Sequence, residues 1–284
     1  MTHMTDAVGH ADLPRKRQAL RAFPLAPFLR GNVAAWIVPI LILVLWQATS
    51  ALGWLSANVL PSPLGVLRAL WKLTLSGELA RNIGVSFLRA AAGFLIGGGI
   101  GFSLGLANGL SKTSETLTDS TLQMVRNIPH LALIPLVILW FGIDEGAKLF
   151  LVALGVFFPV YINTLHGVRT VDPQLIEMGR SYGMTSGELF RRVILPGALP
   201  SIFVGLRFAL GVMWLTLIVA ETIAAQSGLG YMAMQAREFM QTDIVVLAIL
   251  IYALLGKAAD SAARLLERRF LQWNPAFQTK GARA

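Results

Sequence analysis

The sequence predicts an all-α integral membrane protein with six transmembrane helices. Three observations carry this expectation. Of the 284 residues, 55% are hydrophobic and only 14% charged, with a mean hydropathy of +0.63. A chain this apolar needs lipid as its solvent. Apolar runs of span length recur along the chain, and basic residues flank these runs rather than fill them. The net charge of +9 is therefore read by position, as the Lys and Arg excess of one membrane side, and not as a nucleic-acid surface.

Residues 1–32 are polar and basic, hold Pro14, Pro24 and Pro27, and read as a cytoplasmic tail. Residues 33–78 hold the first span and an external amphipathic segment. That span, Val33 to Leu52, is long enough for the ~30 Å hydrocarbon core and fits an uncleaved anchor better than a signal peptide. After the prolines at 61 and 63, Val66, Leu67, Leu70, Trp71 and Leu73 interleave with Arg68 and Lys72 at helical spacing. Such a helix lies at the interface. Residues 79–265 form the core, with spans near 85–106, 122–141, 149–165, 202–222 and 244–259. A long polar loop, 166–200, lies between the fourth and fifth. Residues 266–284 are a second basic cytoplasmic tail.

Six spans place both termini on one side. Seventeen of the 24 Lys and Arg fall on that side, five fall on the other, and Arg89 and Arg207 lie within spans. The termini and the long loop are therefore expected in the cytoplasm.

The second span carries Gly93, Gly97, Gly101, Gly105 and Gly109, one every four residues. They form a ridge that lets two backbones approach closely in lipid, whether within one subunit or in a transporter core. The third span, from Arg126 to Gly142, contains Pro129 and Pro135. Each removes a backbone donor, and broken helices at membrane depth face protein or a water-filled cavity. Arg126, Asn127, Pro129, His130 and Pro135 are therefore candidates for a translocation pathway, as is Arg207 in the fifth span. The alternative is an ordinary proline kink.

In the long loop, Asp172 can cap a helix that begins at Pro173 and places Leu175, Met178 and Tyr182 on one face. Gly183 can end it in the left-handed conformation. Thr185 and Glu188 form a capping-box pattern opening a second helix, which carries Leu189, Phe190, Val193 and Ile194 and is expected to stop at Pro196. Apolar faces on an extramembrane helix–turn–helix fit a partner's groove, or else the loop's own helix ends.

Absences narrow the function. There is no cysteine, hence no disulfide, thiolate metal site or thiol nucleophile. His3, His10, His130 and His166 match no metal-ligand spacing, and no catalytic cluster is visible. No phosphate-cradling G-x-x-x-x-G-K-[ST] is present, so the chain is not itself an ATPase. No Asp or Glu falls in mid-span: Glu78, Asp144, Glu221, Glu238 and Asp243 read as external, and Asp260 as the cytoplasmic end of the sixth helix. An ion-coupled secondary transporter usually needs an intramembrane carboxylate, so that class stands as the less favoured alternative.

The loop motif Glu177-Met-Gly-Arg-Ser-Tyr-Gly183, followed after nine residues by Val193-Ile-Leu195-Pro196, resembles the EAA loop of ATP-binding-cassette (ABC) importer permeases. Met178 and Gly179 stand where the pattern has two alanines, and Val193 where it has isoleucine. The stretches 126–148 and 220–243 resemble the nitrate, taurine and sulfonate branch, and the ending 254–277 is most similar to aliphatic sulfonate permeases. The resemblance implies a type I ABC importer permease fold in a bacterial inner membrane. It implies two ABC ATPase subunits docked at Glu177, Gly183, Val193, Leu195 and Pro196, which bind the ATP, so that this chain needs no cofactor. It also implies a second copy of the permease, a periplasmic substrate-binding protein and surrounding lipid. The substrate expected is an aliphatic sulfonate, with taurine, nitrate or another small anion as alternatives. Arg89 and Arg207 could help a permanent anion across. Alternatively, Arg89 snorkels outward and Arg207 bridges helices near the cytoplasmic end.

Overall fold

The computed structural model describes residues 34–273, apart from Leu55, Ala57 and Asn58; the amino-terminal tail and the end of the carboxy-terminal tail lie outside the described residues. Among the described residues every regular element is helical. Helix α1 (Ala34–Ala51) is apolar, and Trp46 ties its end to the next segment by donating its indole N–H to the Pro61 carbonyl at 2.9 Å. Helix α2 (Pro63–Leu75) begins where the Ser62 hydroxyl accepts the Gly65 N–H at 3.0 Å, with Pro63 in the first turn, where no donor is needed. It buries Val66, Ala69 and Leu73 and exposes Leu64, Leu67 and Trp71. The expected amphipathic helix is present.

Among the described residues four helices are long and apolar enough to cross a membrane: α3 (Glu78–Leu110), α6 (Glu145–Arg169), the run Ser186–Ile223, which takes in all but the last residue of α9 (Leu195–Ala224), and α11 (Thr242–Phe270). The expected third span is not straight. It consists of α4 (Lys112–Arg126) and, after a 3-10 turn at His130–Leu133, α5 (Ile134–Phe141), bent by 80°. The described residues therefore contain four spans, or five if the bent pair counts as one, with Ile37–Ala51 as a shorter apolar helix beside them. The break falls at Asn127–Pro129. Pro135 sits in the first turn of α5 and interrupts nothing, so only one of the two prolines marks a break. Short α10 (Leu229–Glu238) connects the ends of α9 and α11.

The glycine ridge is resolved by packing inside the chain. A methyl group at Gly93 would lie 2.6 Å from Val152 Cγ1, at Gly101 2.6 Å from the Phe157 carbonyl oxygen, and at Gly105 2.7 Å from that of Tyr161. At Gly97 it would overlap the Ala153 carbonyl, and at Gly109 it would meet Val168. The whole ridge seats on α6, which runs parallel to α3. Helix α9 returns antiparallel along α6, and Gly155, Gly167 and Gly205 allow that second close approach. The main core lies between these helices, around Val152, Val156, Met213, Leu217, Leu247 and Tyr252.

Candidate functional site

The extramembrane loop folds as local chemistry dictates. Asp172 Oδ1 accepts the Gln174 N–H at 2.8 Å and opens α7 (Pro173–Ser181). Gly183, at φ +77°, makes the left-handed turn that ends it. The capping box closes around α8 (Ser186–Leu189): the Glu188 carboxylate accepts the Thr185 N–H at 3.0 Å, and the Thr185 hydroxyl accepts the Glu188 N–H at 3.3 Å. Leu189 is buried against Gly179, where a methyl group would come within 2.7 Å of Leu189 Cδ1. The glycine that departs from the familial alanine is thus what lets the two helices close. The opposite face shows Leu175, Met178 and Tyr182 to solvent, 46%, 51% and 78% exposed.

Glu177 and Gly183 are exposed, whereas Val193 and Leu195 are half-buried against Val168, Val171, Ala198 and Ile202. The five docking candidates therefore divide. Two lie on the open surface, Val193 and Leu195 anchor the loop to the ends of α6 and α9, and half-buried Pro196 lies in the first turn of α9. Pro196 does not stop the second helix. Residues Phe190–Ile194 form a π-turn in which the Leu195 N–H reaches the Phe190 carbonyl, and the chain continues into α9. The widened turn moves aside the carbonyl that a proline ring would otherwise strike.

Of the pathway candidates, Arg126 and His130 share a cavity of about 310 Å³, also lined by Phe158, Pro159, Phe208 and Val212. His130 Nε2 lies 3.0 Å from Thr216 Oγ1, joining the break to α9. Asn127 and Pro129 shape the break and Pro135 starts α5, but none of the three lines the cavity. Arg207 lies apart: its Nε is 3.2 Å from Asp260 and its Nη1 3.5 Å from Glu267, the inter-helix bridge between α9 and α11 that was the alternative expected for it.

At the end of the bundle opposite the loop is a buried charge network that sequence reasoning missed. Glu221, expected in or beside an external segment, is 1% exposed inside the helix ends. Its carboxylate accepts from the Ser86 hydroxyl at 2.8 Å, Arg89 Nη1 at 2.8 Å, the Gly230 N–H at 2.9 Å and the Tyr252 hydroxyl at 2.8 Å. Arg89 does not snorkel: it is buried, donates to the Ser227 carbonyl at 2.5 Å, and holds Glu145 with two further donors. The Asn82 side chain and the Ser86 hydroxyl accept the N–H groups of Gly228 and Leu229, so the turn before α10 is fastened over α3. An isolated charge at such depth is costly, and pairing removes most of that cost. The available signal was two opposite charges, Arg89 and Glu221, each embedded in an apolar helix. Among the described residues no group of three or more His, Cys, Asp or Glu could hold a metal ion.

The fold is that of an ABC importer permease. A crystallised amino acid ABC transporter with histidines superimposes with a TM-score of 0.57 at 21% identity, over 70% of this chain and 97% of that one. The family model described as binding-protein-dependent transport system inner membrane component matches residues 97–272, and the chain belongs to that family. It is a multi-pass membrane permease of an ABC transporter. The aliphatic sulfonates transport permease protein SsuC of Escherichia coli (strain K12) is 63% identical over 88% of this chain and 95% of its own length. The protein of the same description from Bacillus subtilis (strain 168) is 48% identical over 87% of this chain and 90% of its own. The taurine transport system permease protein TauC of Escherichia coli (strain K12) is 36% identical over 84% of this chain and 88% of its own.

Proposed function

We propose that this permease admits aliphatic sulfonates to the bacterial cytoplasm, driven by ATP that separate subunits hydrolyse. The observation that carries the coupling role is the helix–turn–helix of α7 and α8, which presents Leu175, Met178 and Tyr182 to solvent. The sulfonate assignment is supported by the relative at 63% identity, against 36% for the taurine permease. In this reading two copies pair, an ATPase docks on each loop at Glu177 and Gly183, and a periplasmic binding protein delivers substrate. The chain sits in the inner membrane, with the termini and loop 166–200 cytoplasmic and residues 79–265 as the transporting core.

One helical run supports this reading as a transmission path. Ser186–Ile223 is one helical run of 38 residues, from the docking loop past the cavity wall at Phe208 and Val212 and the His130 contact at Thr216 to buried Glu221. Its π-turn, anchored by Val193, Leu195 and Pro196, is the point where a push from α8 enters α9. Arg126 and His130 line the pathway, Asn127 and Pro129 shape the break beside it, Pro135 starts α5, and Arg207 keeps α9 seated on α11. The test is uptake in a strain lacking the permease, complemented by this chain, with alkanesulfonate, taurine and nitrate in competition. Uptake of nitrate or taurine in preference to alkanesulfonates would refute the substrate; uptake unaffected by loss of the partner ATPase would refute the coupling.

A further inference from the structure

The buried network contains two cations that share one exposed anion. Arg89 and Lys148 have side chains only 5% and 3% exposed, yet both reach the Glu145 carboxylate, whose side chain is 58% exposed. Arg89 Nε and Nη2 grip its two oxygens at 2.6 and 2.5 Å, and Lys148 Nζ lies 3.2 Å from one of them. The second carboxylate of the cluster, Glu221, is fully buried and fixed by Ser86, Tyr252 and the Gly230 N–H as well as Arg89. Among the described residues Lys148 has only Glu145 and, at 3.4 Å, the Ile143 carbonyl. One anionic partner is thus immobile. The other is open to solvent and, among the described residues, its carboxylate is held by the two cations alone.

We propose that Arg89 and Lys148 form an anion-exchange site at the periplasmic mouth, occupied at rest by Glu145 and taken over by the head group of a small sulfonate. The proposal rests on the sulfonate reading above. Without Glu145, buried Lys148 would face only the Ile143 carbonyl and Arg89 would keep Glu221 alone, so two buried cations would share one carboxylate and an empty site is costly. It can exchange one anion for another. A planar guanidinium fork that binds a carboxylate through two donors binds two sulfonate oxygens equally well. A sulfonate has a third oxygen, and the Ser227 hydroxyl already stands 2.9 Å from Arg89 Nη2 to meet it. Ile143, whose carbonyl faces Lys148, has an exposed side chain, so apolar surface lies beside the charge for an alkyl tail. Glu145 then acts as an internal mimic that keeps the cations paired between substrates. The pathway cavity at Arg126 and His130 is lined separately, so this is an entry site distinct from that cavity.

The test measures the melting temperature of the purified permease–ATPase complex against ethanesulfonate, with sodium chloride holding ionic strength constant and ethanol as the uncharged control. A competitor tethered in the site lowers apparent affinity by the fraction of time it occupies the site. Glu145→Gln should therefore lower the half-saturating ethanesulfonate concentration by about tenfold or more, and Glu145→Asp, which keeps the charge but shortens its reach, by less. Adding Lys148→Gln to Glu145→Gln should abolish the gain, and ethanol should produce no shift. The same half-saturating concentration in wild type, Glu145→Gln and Glu145→Asp would overturn the proposal. So would a gain that survives Lys148→Gln. If uptake shows that the substrate is not a sulfonate while Glu145→Gln still sharpens the ethanesulfonate response, the substrate reading falls and the exchange site stands.

Discussion

Replacing Gly97 by alanine should loosen the seam between α3 and α6. The added methyl group would overlap the Ala153 carbonyl oxygen and lie 2.7 Å from both the carbonyl carbon and Cα of that residue. These are backbone atoms of a buried helix, and unlike a side chain they cannot rotate aside, so the two helices must part. Overpacking of this kind costs about 1–3 kcal/mol, and an unyielding backbone places Gly97 near the upper end. For a chain of this size each ~1 kcal/mol moves the melting temperature by roughly 2–4 °C, so Gly97→Ala should lower it by roughly 6–12 °C. Gly99, two residues on, has open space where a methyl group would go. Gly99→Ala meets no clash and gains up to ~1 kcal/mol of helix propensity, so its melting temperature should hold or rise by about 3 °C. The assay is thermal unfolding of the purified protein in detergent, followed by near-UV circular dichroism. Equal melting temperatures for the two variants would refute the close-packed seam.

Gly183→Pro demands a negative φ where the chain has +77°, and should abolish uptake while leaving membrane insertion intact; normal uptake would remove the docking role. Arg207→Gln leaves Glu267, only 4% exposed, without its cation, a loss of up to about 3 kcal/mol that the part-exposure of Arg207 reduces. The double variant with Glu267→Gln should recover much of the lost melting temperature, and no recovery would refute the pairing. Cysteines placed at Ile128 and Leu133, which line the cavity, should react with a small water-soluble thiol reagent, and one at fully buried Val137 should not; equal labelling at all three would discard the cavity as a pathway. Reporter fusions after Thr113 and Gln278 should read as cytoplasmic and those after Gly77 and Gln226 as periplasmic, and a periplasmic signal from 169–196 would invert the scheme.

The docking loop was legible because its determinants are local. A cap, a left-handed glycine and a capping box act over two to four residues, and each appears where the spacing put it. The spans were legible in existence but read too short. Helix α3 begins at Glu78 and ends at Leu110, beyond the apolar stretch 85–106, because Asn82 and Asn108 are satisfied by partners on other helices and loops. Asn82 accepts the Gly228 N–H, and Asn108 donates to Thr118 and Tyr161. Hydropathy counts these asparagines as exposed polar residues. The same blindness hid Glu221, whose cation is 132 residues away in sequence. Pro196 misled for a different reason: a proline reads as a stop unless the turn before it widens, and that widening is a property of the backbone.

How each helix is held limits which part of the cavity wall can yield. Helices α3 and α6 are locked by glycine contacts at backbone distance, and α6 and α9 by the same device at Gly167 and Gly205. Helix α9 is tied to α11 at both ends, by Arg207 to Asp260 and Glu267 and by Glu221 to Tyr252. These four helices are one body, and α9 cannot slide along α11 without breaking ion pairs. The bent pair α4–α5 is held differently. Its attachments are the Glu115–Arg169 ion pair, polar contacts from Ser114 and Thr118 to Asn108, the His130–Thr216 contact, and a small apolar cluster at Ile134 and Val137. Side chains make all of these contacts, and side chains can exchange partners where backbone seams cannot. In the proposed reading, the break at Asn127–Pro129, with the cavity beside it, is accordingly where a push delivered through loop 166–200 would change the width of the pathway at least cost.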